Sequence, residues 1–509
     1  MHNYLAIDIG TTNWKAVIYR SDGTSLAIEK TPTITHSDGS GKSWYEPEEL
    51  WRSVCGLIQK VTQKCPVPIS AVSTTSFSEA VVGIDKEGNT VGEIIAWFDT
   101  RSMEEAQYLK DTFTEKKLFS LTGLDVNPIF SLPKILWMRK HEQKNFERTV
   151  KYLQMADYII YRLSGVFVTD YTLASRTLAL DVVHNVWSDE ILQKVQIAAS
   201  LFPEILASGT IVGTITPAVQ RETGLPSSVK VAVGGNDHPC ASLASGVLSG
   251  NKMLDSSGTA ESFIYISPKN AVPQMEFKGQ RVCRYLSKDR YALWGGIISS
   301  GRTFDWAYDL FTSSKRFGIK QDAYDWDYVL DQVLHVKGIE EGLFFYPHLR
   351  GAGAPYWNPK MSAQFLGCRE FHDNATFLRA VLEGLSMQAR MIVETEEKLA
   401  HTQVASLCVV GGGARNTQWQ KIKASITGKT IELCKESEAT SLGAAMLAAL
   451  GCGEYSSLEE ISQQLSSANV KIEPDWDTYK RMEPFYALYK EGYIATEKIN
   501  QKIFDTIKG

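Results

Sequence analysis

Asp237 closes an apolar run in Val231-Ala-Val-Gly-Gly-Asn-Asp-His-Pro-Cys-Ala-Ser-Leu-Ala-Ser-Gly246 and stands at the entrance to a stretch of small residues with helical character. Gly234 and Gly235 let the backbone turn sharply there and leave room for a ligand, while a helix starting near Pro239 aims its free N–H groups at the same place. That is how a catalytic carboxylate is presented, and one placed there faces a pocket that favours anions. As half of an Asn-Asp pair at a helix start, it can also do no more than cap the helix.

Three glycine turns supply the places where such an anion could bind. The first is Asp8-Ile-Gly10-Thr11-Thr12, set between two apolar strands and followed by an Asp22-Gly23 turn, which reads as a β-hairpin leading into a third strand. Backbone amides and hydroxyls gathered around Gly10 make an anion-binding concavity, and Asp8 just before it suits a hydrated magnesium ion beside phosphates. A second turn of the same kind, Gly258-Thr259, lies between two strands in Met253–Ile266. The third segment, Leu407 to Lys421, runs strand, Gly411-Gly412-Gly413, helix. Close backbone approach to a flat ligand needs glycine, although this run lacks the alternate spacing of the dinucleotide fingerprint and would also serve as a tight turn.

The elements that must position these groups are strands alternating with helices, an α/β pattern. A chain of 509 residues exceeds what one core supports, so two domains of similar size are expected, 1–247 and 248–509, with the boundary in the turn from Gly246 to Gly250. The tail from Tyr479 to Ile507 places apolar residues at helical spacing and reads as an amphipathic helix docked on its own domain. Asp38-Gly-Ser-Gly-Lys-Ser43 ends like a phosphate-binding P-loop but has His36 where the first glycine is required, so it is read as a surface loop near the cleft mouth.

With 53 basic and 58 acidic residues the net charge is −5, and no basic block with interleaved aromatics marks a nucleic-acid surface. The N-terminus lacks a signal-peptide pattern and no apolar run reaches membrane-spanning length, so a cytoplasmic protein with no membrane partner is expected. Eight scattered cysteines form neither a zinc set nor a disulfide framework, and Cys240, beside the Asp237 segment, is read as a small packed residue.

These segments, in this order, resemble the FGGY family of carbohydrate kinases over nearly the whole chain. Ser131, Lys134, Trp137, Met138, Lys140 and His141 fit the family's first sequence pattern, with Ile129 the one departure, and Thr169–Thr177, Leu343–Trp357 and Ala439–Ala445 are further family-like stretches. The resemblance implies two actin-like (ribonuclease H-like) domains, each a mixed sheet flanked by helices, with a cleft between them that takes sugar on the first domain's side and ATP on the second's. It implies transfer of the ATP γ-phosphoryl group to a sugar hydroxyl, with Asp237 as general base and with Asp8 and Asp237 beside Mg2+. Gly10, Thr11, Thr12, Lys15, Gly258, Thr259, Gly301, Gly412, Gly413, Ala414 and Asn416 are implied at the nucleotide. Phe77, Ser78, Glu79, Asp99, Arg101, Asn236, Asp237 and His238 are implied at the sugar.

Ser78-Glu79 replaces the Arg-Glu pair of glycerol kinases, which argues against glycerol. The Asp237 segment and Trp97-Phe-Asp-Thr-Arg101 look xylulokinase-like, although the Met-His-Gly stretch of those enzymes is absent. A ketopentose such as xylulose is therefore the expected substrate, with another polyol or a sugar acid as the alternative. A sensor of the same fold that binds sugar or nucleotide without catalysis is the rival class. A homodimer stays open.

Overall fold

Asn3–Ile9 is apolar on both faces and buried along its whole length, as a strand must be when helices cover both sides of its sheet. The computed structural model describes residues 2–248, 251–275, 277, 280–312, 326–466 and 469–508. Residues 249 and 250 of the expected boundary turn lie outside the described residues.

Asn3–Ile9 pairs antiparallel with Asn13–Arg20, which pairs antiparallel with Ser25–Pro32, giving the hairpin and third strand expected from the sequence. On its other side Asn3–Ile9 runs parallel to Ala71–Ser76, then comes Lys230–Asn236, also parallel, and Ile211–Thr214 as an antiparallel edge. The second half repeats this plan. Lys252–Ser257 pairs antiparallel with Glu261–Ile266, which pairs antiparallel with Tyr291–Ile297. Across its other edge follow Ser406–Val410 and Thr430–Leu433, both parallel, and the antiparallel Val470–Ile472. Arg281–Arg284 adds a seventh strand to this sheet. Two mixed sheets of one topology, each flanked by helices, make the α/β, actin-like duplication, and the two Gly-Thr turns occupy equivalent hairpins within it.

The helix Ala439–Gly451 belongs to the second half of the chain but packs on Asn3–Ile9 and Ala71–Ser76 of the first sheet and on the helix Asp237–Ala244. Its Ala- and Gly-rich face permits that approach: a Cβ on Gly443 would lie 1.9 Å from the Cys240 carbonyl oxygen. Cys240 is fully buried at this crossing and burial pushes its thiol pKa up, which suits a packing residue. The helices Asn374–Ala400 and Thr417–Thr427 pack together over the second sheet, and the C-terminal helix Trp476–Lys508 docks on Thr417–Thr427. His36–Ser37 and Ser43–Tyr45 form a short hairpin around the Asp38–Ser43 loop, which joins strand to strand rather than strand to helix.

Candidate active site

Asp8 faces Lys15 across the first hairpin, in register, with Lys15 Nζ 3.4 Å from Asp8 Oδ2. Lys15 Nζ also reaches Glu438 Oε2 at 2.5 Å, and Ser441 Oγ lies 3.4 Å from Asp8 Oδ2, so the second half closes over this carboxylate. Burial pushes the Asp8 pKa up to about 6; Lys15 draws it down, while the negative charge of Asp237 pushes it further up. Gly10 N donates to Asn13 O at 3.1 Å to close the turn, leaving Thr11 and Thr12 exposed at its tip.

Asp237 is the first residue of the helix Asp237–Ala244, and the cap is Asn236. His238 N donates to Asn236 Oδ1 at 3.1 Å and to Asp237 Oδ1 at 2.8 Å. The helix thus starts two residues before the expected Pro239. The two glycines do not make a turn; they lie inside the strand Lys230–Asn236, whose register shifts between Ala232 and Gly235. A Cβ on Gly234 would sit 1.6 Å from the Thr74 carbonyl oxygen, so glycine is required by close strand packing. Burial raises the Asp237 pKa, His238 lowers it, and the charge of Glu79 raises it further.

A network behind this strand fixes Asn236 and Asp237. Thr172 Oγ1 accepts from Asn236 N at 2.7 Å and itself donates to Asp170 Oδ1 at 2.9 Å. Asp170 also accepts from the backbone N–H of Thr172 and Leu173, capping the helix Tyr171–Ser175, at whose C-terminal end stands Arg176.

Ser78, Glu79 and Asn236 come together as expected, with Asn236 Nδ2 donating to Ser78 Oγ at 3.0 Å. Glu79 holds a left-handed backbone, φ 72°, a conformation that costs a non-glycine residue on the order of 1 kcal/mol. Gln154 Oε1 accepts from Glu79 N at 2.7 Å and Ser131 Oγ donates to Glu79 O at 3.3 Å, holding that shape. The Glu79 carboxylate is bound by Arg176, Nε at 2.6 Å and Nη2 at 2.5 Å.

Arg176 begins a column that crosses to the second half. Its guanidinium lies 4.6 Å from the Trp294 ring and 5.2 Å from Phe130, and Trp294 meets His238 edge-on with centroids 5.6 Å apart. Arg281 also lies over Phe130, at 5.4 Å, covers Trp357 and pairs with Asp125 at 2.5 Å.

Three expected sugar residues have other partners. Phe77 is in the core against Tyr45, ring centroids 5.7 Å apart. Asp99 accepts from Ser43 N at 2.6 Å and from Arg101, and Arg101 also pairs with Glu93. These are contacts of a locked loop. Beneath it Lys134 is fully buried, donating to Ile129 O with the carbonyl oxygens of Trp97, Pro128 and Phe130 each 3.4 Å from the same Nζ.

The expected nucleotide residues of the second half form one group, while Gly10, Thr11, Thr12 and Lys15 lie on the first hairpin. Gly301 N donates to Gly258 O at 3.0 Å and Ser300 N to Thr259 O at 2.9 Å. A Cβ on Gly413 would lie 2.1 Å from Ser257 Oγ, so the glycine run is pressed against the same hairpin. Gly412, Gly413, Ala414 and Arg415 make one 3-10 turn, after which Asn416 Oδ1 accepts from Trp419 N at 3.0 Å to cap the next helix.

Sequence reasoning did not single out Arg176, Trp294, Arg281 or Asp125. Arg176 lay within the family-like stretch Thr169–Thr177, which was the one signal available. Arg281 and Trp294 are partners on the paired strands Arg281–Arg284 and Tyr291–Ile297, and Asp125 reaches Arg281 only through the contact between the two halves.

A sequence model of the FGGY family of carbohydrate kinases, N-terminal domain, matches residues 3–244, and one of the C-terminal domain matches residues 254–452. The chain is 27% identical over 504 residues to a xylulose kinase of Bacillus subtilis (strain 168), covering 98% of each chain. To a gluconokinase of the same organism it is 26% identical over 491 residues, covering 95% of this chain and 94% of the other. In fold it is similar to the crystal structure of a gluconate kinase from Lactobacillus acidophilus, with TM-score 0.90, 23% identity and coverage of 97% and 98%.

Proposed function

The chain belongs to the FGGY family of carbohydrate kinases, and from that premise we propose that it transfers the γ-phosphoryl group of ATP to a hydroxyl of a small neutral sugar, a ketopentose such as xylulose. Relatives divide between xylulose and gluconate kinases, so their names do not choose between a neutral sugar and a sugar acid. The charge inventory does. Both arginines of the column already hold a carboxylate, Arg176 with Glu79 and Arg281 with Asp125. Asp237 adds a third carboxylate, offset in part by His238 beside it. A sugar acid would bring a further negative charge to a wall already negative, whereas a polyhydroxyl substrate finds acceptors on Glu79 and Asp237 and aromatic surface on Trp294.

In this reading residues 1–247 carry the sugar side and 248–509 the nucleotide side, with the helix Ala439–Gly451 reaching back onto the first sheet. Asp237 is the general base: it accepts the hydroxyl proton as the sugar oxygen attacks the γ-phosphorus, and the bond from that phosphorus to the β,γ-bridging oxygen breaks to release ADP. The raised Asp237 pKa brings its basicity nearer to neutral pH. The turns at Gly10–Thr12 and Gly258–Thr259 offer backbone N–H groups to the phosphates from the two halves, and Lys15 supplies positive charge between them.

The residues present fit Mg2+. Asp8 and Asp237 are close enough for the charge of one to raise the other's pKa, and a dication between phosphates and carboxylates relieves that repulsion. Among the described residues no group of three or more His, Cys, Asp or Glu side chains forms a protein cage, in keeping with an ion that draws most of its ligands from water and phosphate. Asp8 and Asp237 would hold it, and it would neutralise charge on the transferring group.

The test is a comparison of kcat/KM for D-xylulose, other ketopentoses, pentitols, glycerol and D-gluconate with Mg-ATP. The reading expects a ketopentose to lead gluconate by at least about a hundredfold, the scale at which misplaced charge discriminates. A gluconate preference would overturn the neutral-sugar assignment.

A further inference from the structure

Lys423 is fully buried and holds two carboxylates that are themselves fully buried, with Nζ 2.6 Å from Asp255 Oδ2 and 2.5 Å from Glu261 Oε1. The three residues come from the elements that carry the nucleotide segments. Asp255 is on Lys252–Ser257 and Glu261 on Glu261–Ile266, the strands that flank the Gly258-Thr259 turn. Lys423 is on Thr417–Thr427, the helix that begins where the Gly411–Asn416 run ends. Glu261 Oε2 also accepts from Ser300 Oγ at 2.6 Å, and Ser300 and Gly301 are hydrogen-bonded to Thr259 and Gly258. On the same helix Gln420 Nε2 donates to Gly413 O at 3.0 Å.

From this geometry we propose that Lys423 and Glu261 are positioning residues for the nucleotide: one buried ion pair sets the spacing between the Gly258-Thr259 turn, Gly301 and the Gly411–Asn416 run. A buried ion pair adds little net stability compared with an apolar substitute, but it fixes a unique register between the elements it joins. Register matters here because the three segments meet through glycines: the gaps are closed by backbone against backbone at Gly301 and Gly411, and Gly413 lies against the Ser257 side chain. Burial raises the Asp255 pKa well above its usual range and the negative charge of Glu261 raises it further, while Lys423 between the two carboxylates draws it down.

The inference rests on the assignment of these segments to the nucleotide, and the experiment separates the two. Mg-ADP affinity is measured by calorimetry for the wild type, Glu261→Gln, Lys423→Met and Val381→Ala, with the urea unfolding midpoint of each. Val381, buried in the second core, is a control for stability alone. The proposal expects Glu261→Gln and Lys423→Met to weaken Mg-ADP at least tenfold while still folded. Val381→Ala should lower the midpoint and leave the affinity within twofold of wild type. If Lys423→Met does not fold, the near-isosteric Glu261→Gln carries the test. An Mg-ADP affinity within twofold of wild type in folded Glu261→Gln overturns the inference alone. A wild type that binds no Mg-ADP overturns the nucleotide assignment and the inference with it.

Discussion

Arg176 and Glu79 form a buried ion pair at 2.5 Å in which a left-handed glutamate presents its carboxylate to a guanidinium stacked on Trp294. Glu79 thereby limits what Arg176 can bind. Glu79→Gln leaves Arg176 with an uncompensated charge facing the site, so the variant should lose at least about tenfold in kcat/KM for the neutral sugar and gain measurable affinity for D-gluconate. Calorimetric titration with gluconate checks this; an unchanged gluconate response would remove Arg176 from the sugar wall.

Lys134 gathers the carbonyl oxygens of Trp97, Pro128, Ile129 and Phe130 around one amino nitrogen, whose pKa burial pushes down to about 7. Lys134→Met leaves those carbonyls without that donor, at about 1–3 kcal/mol for each that finds no substitute. Phe130, whose ring touches both arginines of the column, should shift with them. The expected result is a lower melting temperature and a raised sugar KM with the ATP KM unchanged. A parallel rise in both KM values would mean that the damage is general.

Asp8 pays for its position in stability. Its pKa rises from 3.8 to about 6 on folding, chiefly through burial, so the unfolded chain loses this proton first and the native state is penalised as pH climbs from about 4 to 6. Asp8→Asn carries no such penalty and should be more stable than wild type by up to about 3 kcal/mol at pH 7.5, and by almost nothing below pH 4. Phosphoryl transfer should be lost in the same variant. Urea unfolding at the two pH values decides it: a stability difference independent of pH would contradict the burial argument.

Asp237 is raised above the ordinary carboxylate range by burial and by Glu79. Because its basic form is the ionised one, activity should fall on the acid side at a higher pH than an unperturbed aspartate would give. The acid limb of kcat/KM should also move down in Glu79→Gln, where the repelling charge is gone. A limb that does not move would separate the two carboxylates.

Asp8, the two Gly-Thr turns, the glycine run and Asp237 were legible because each lies in a short local pattern, strand then turn or strand then helix. The repeat of those turns is read for anion binding, and the two like sheets are expected only from the family resemblance. Gly234 was misread as a turn residue, since its reason is a carbonyl on a neighbouring strand. Asp99 and Arg101 have the side chains of sugar ligands, yet they spend their hydrogen bonds on Ser43, Glu93 and each other. Arg281 and Trp294 pair within the second sheet, but Arg176 and Asp125 meet them only across the two halves, and Ala439–Gly451 packs on Asn3–Ile9 and Ala71–Ser76, strands more than 300 residues earlier in the sequence. No local pattern carries such information.

The most direct test is ADP release from Mg-ATP with D-xylulose by wild type and Asp237→Asn, alongside calorimetric Mg-ADP binding to both. Loss of the base should slow turnover by roughly a hundred- to ten-thousandfold, with nucleotide affinity within about threefold of wild type. Near-normal turnover in Asp237→Asn would contradict the account at its centre.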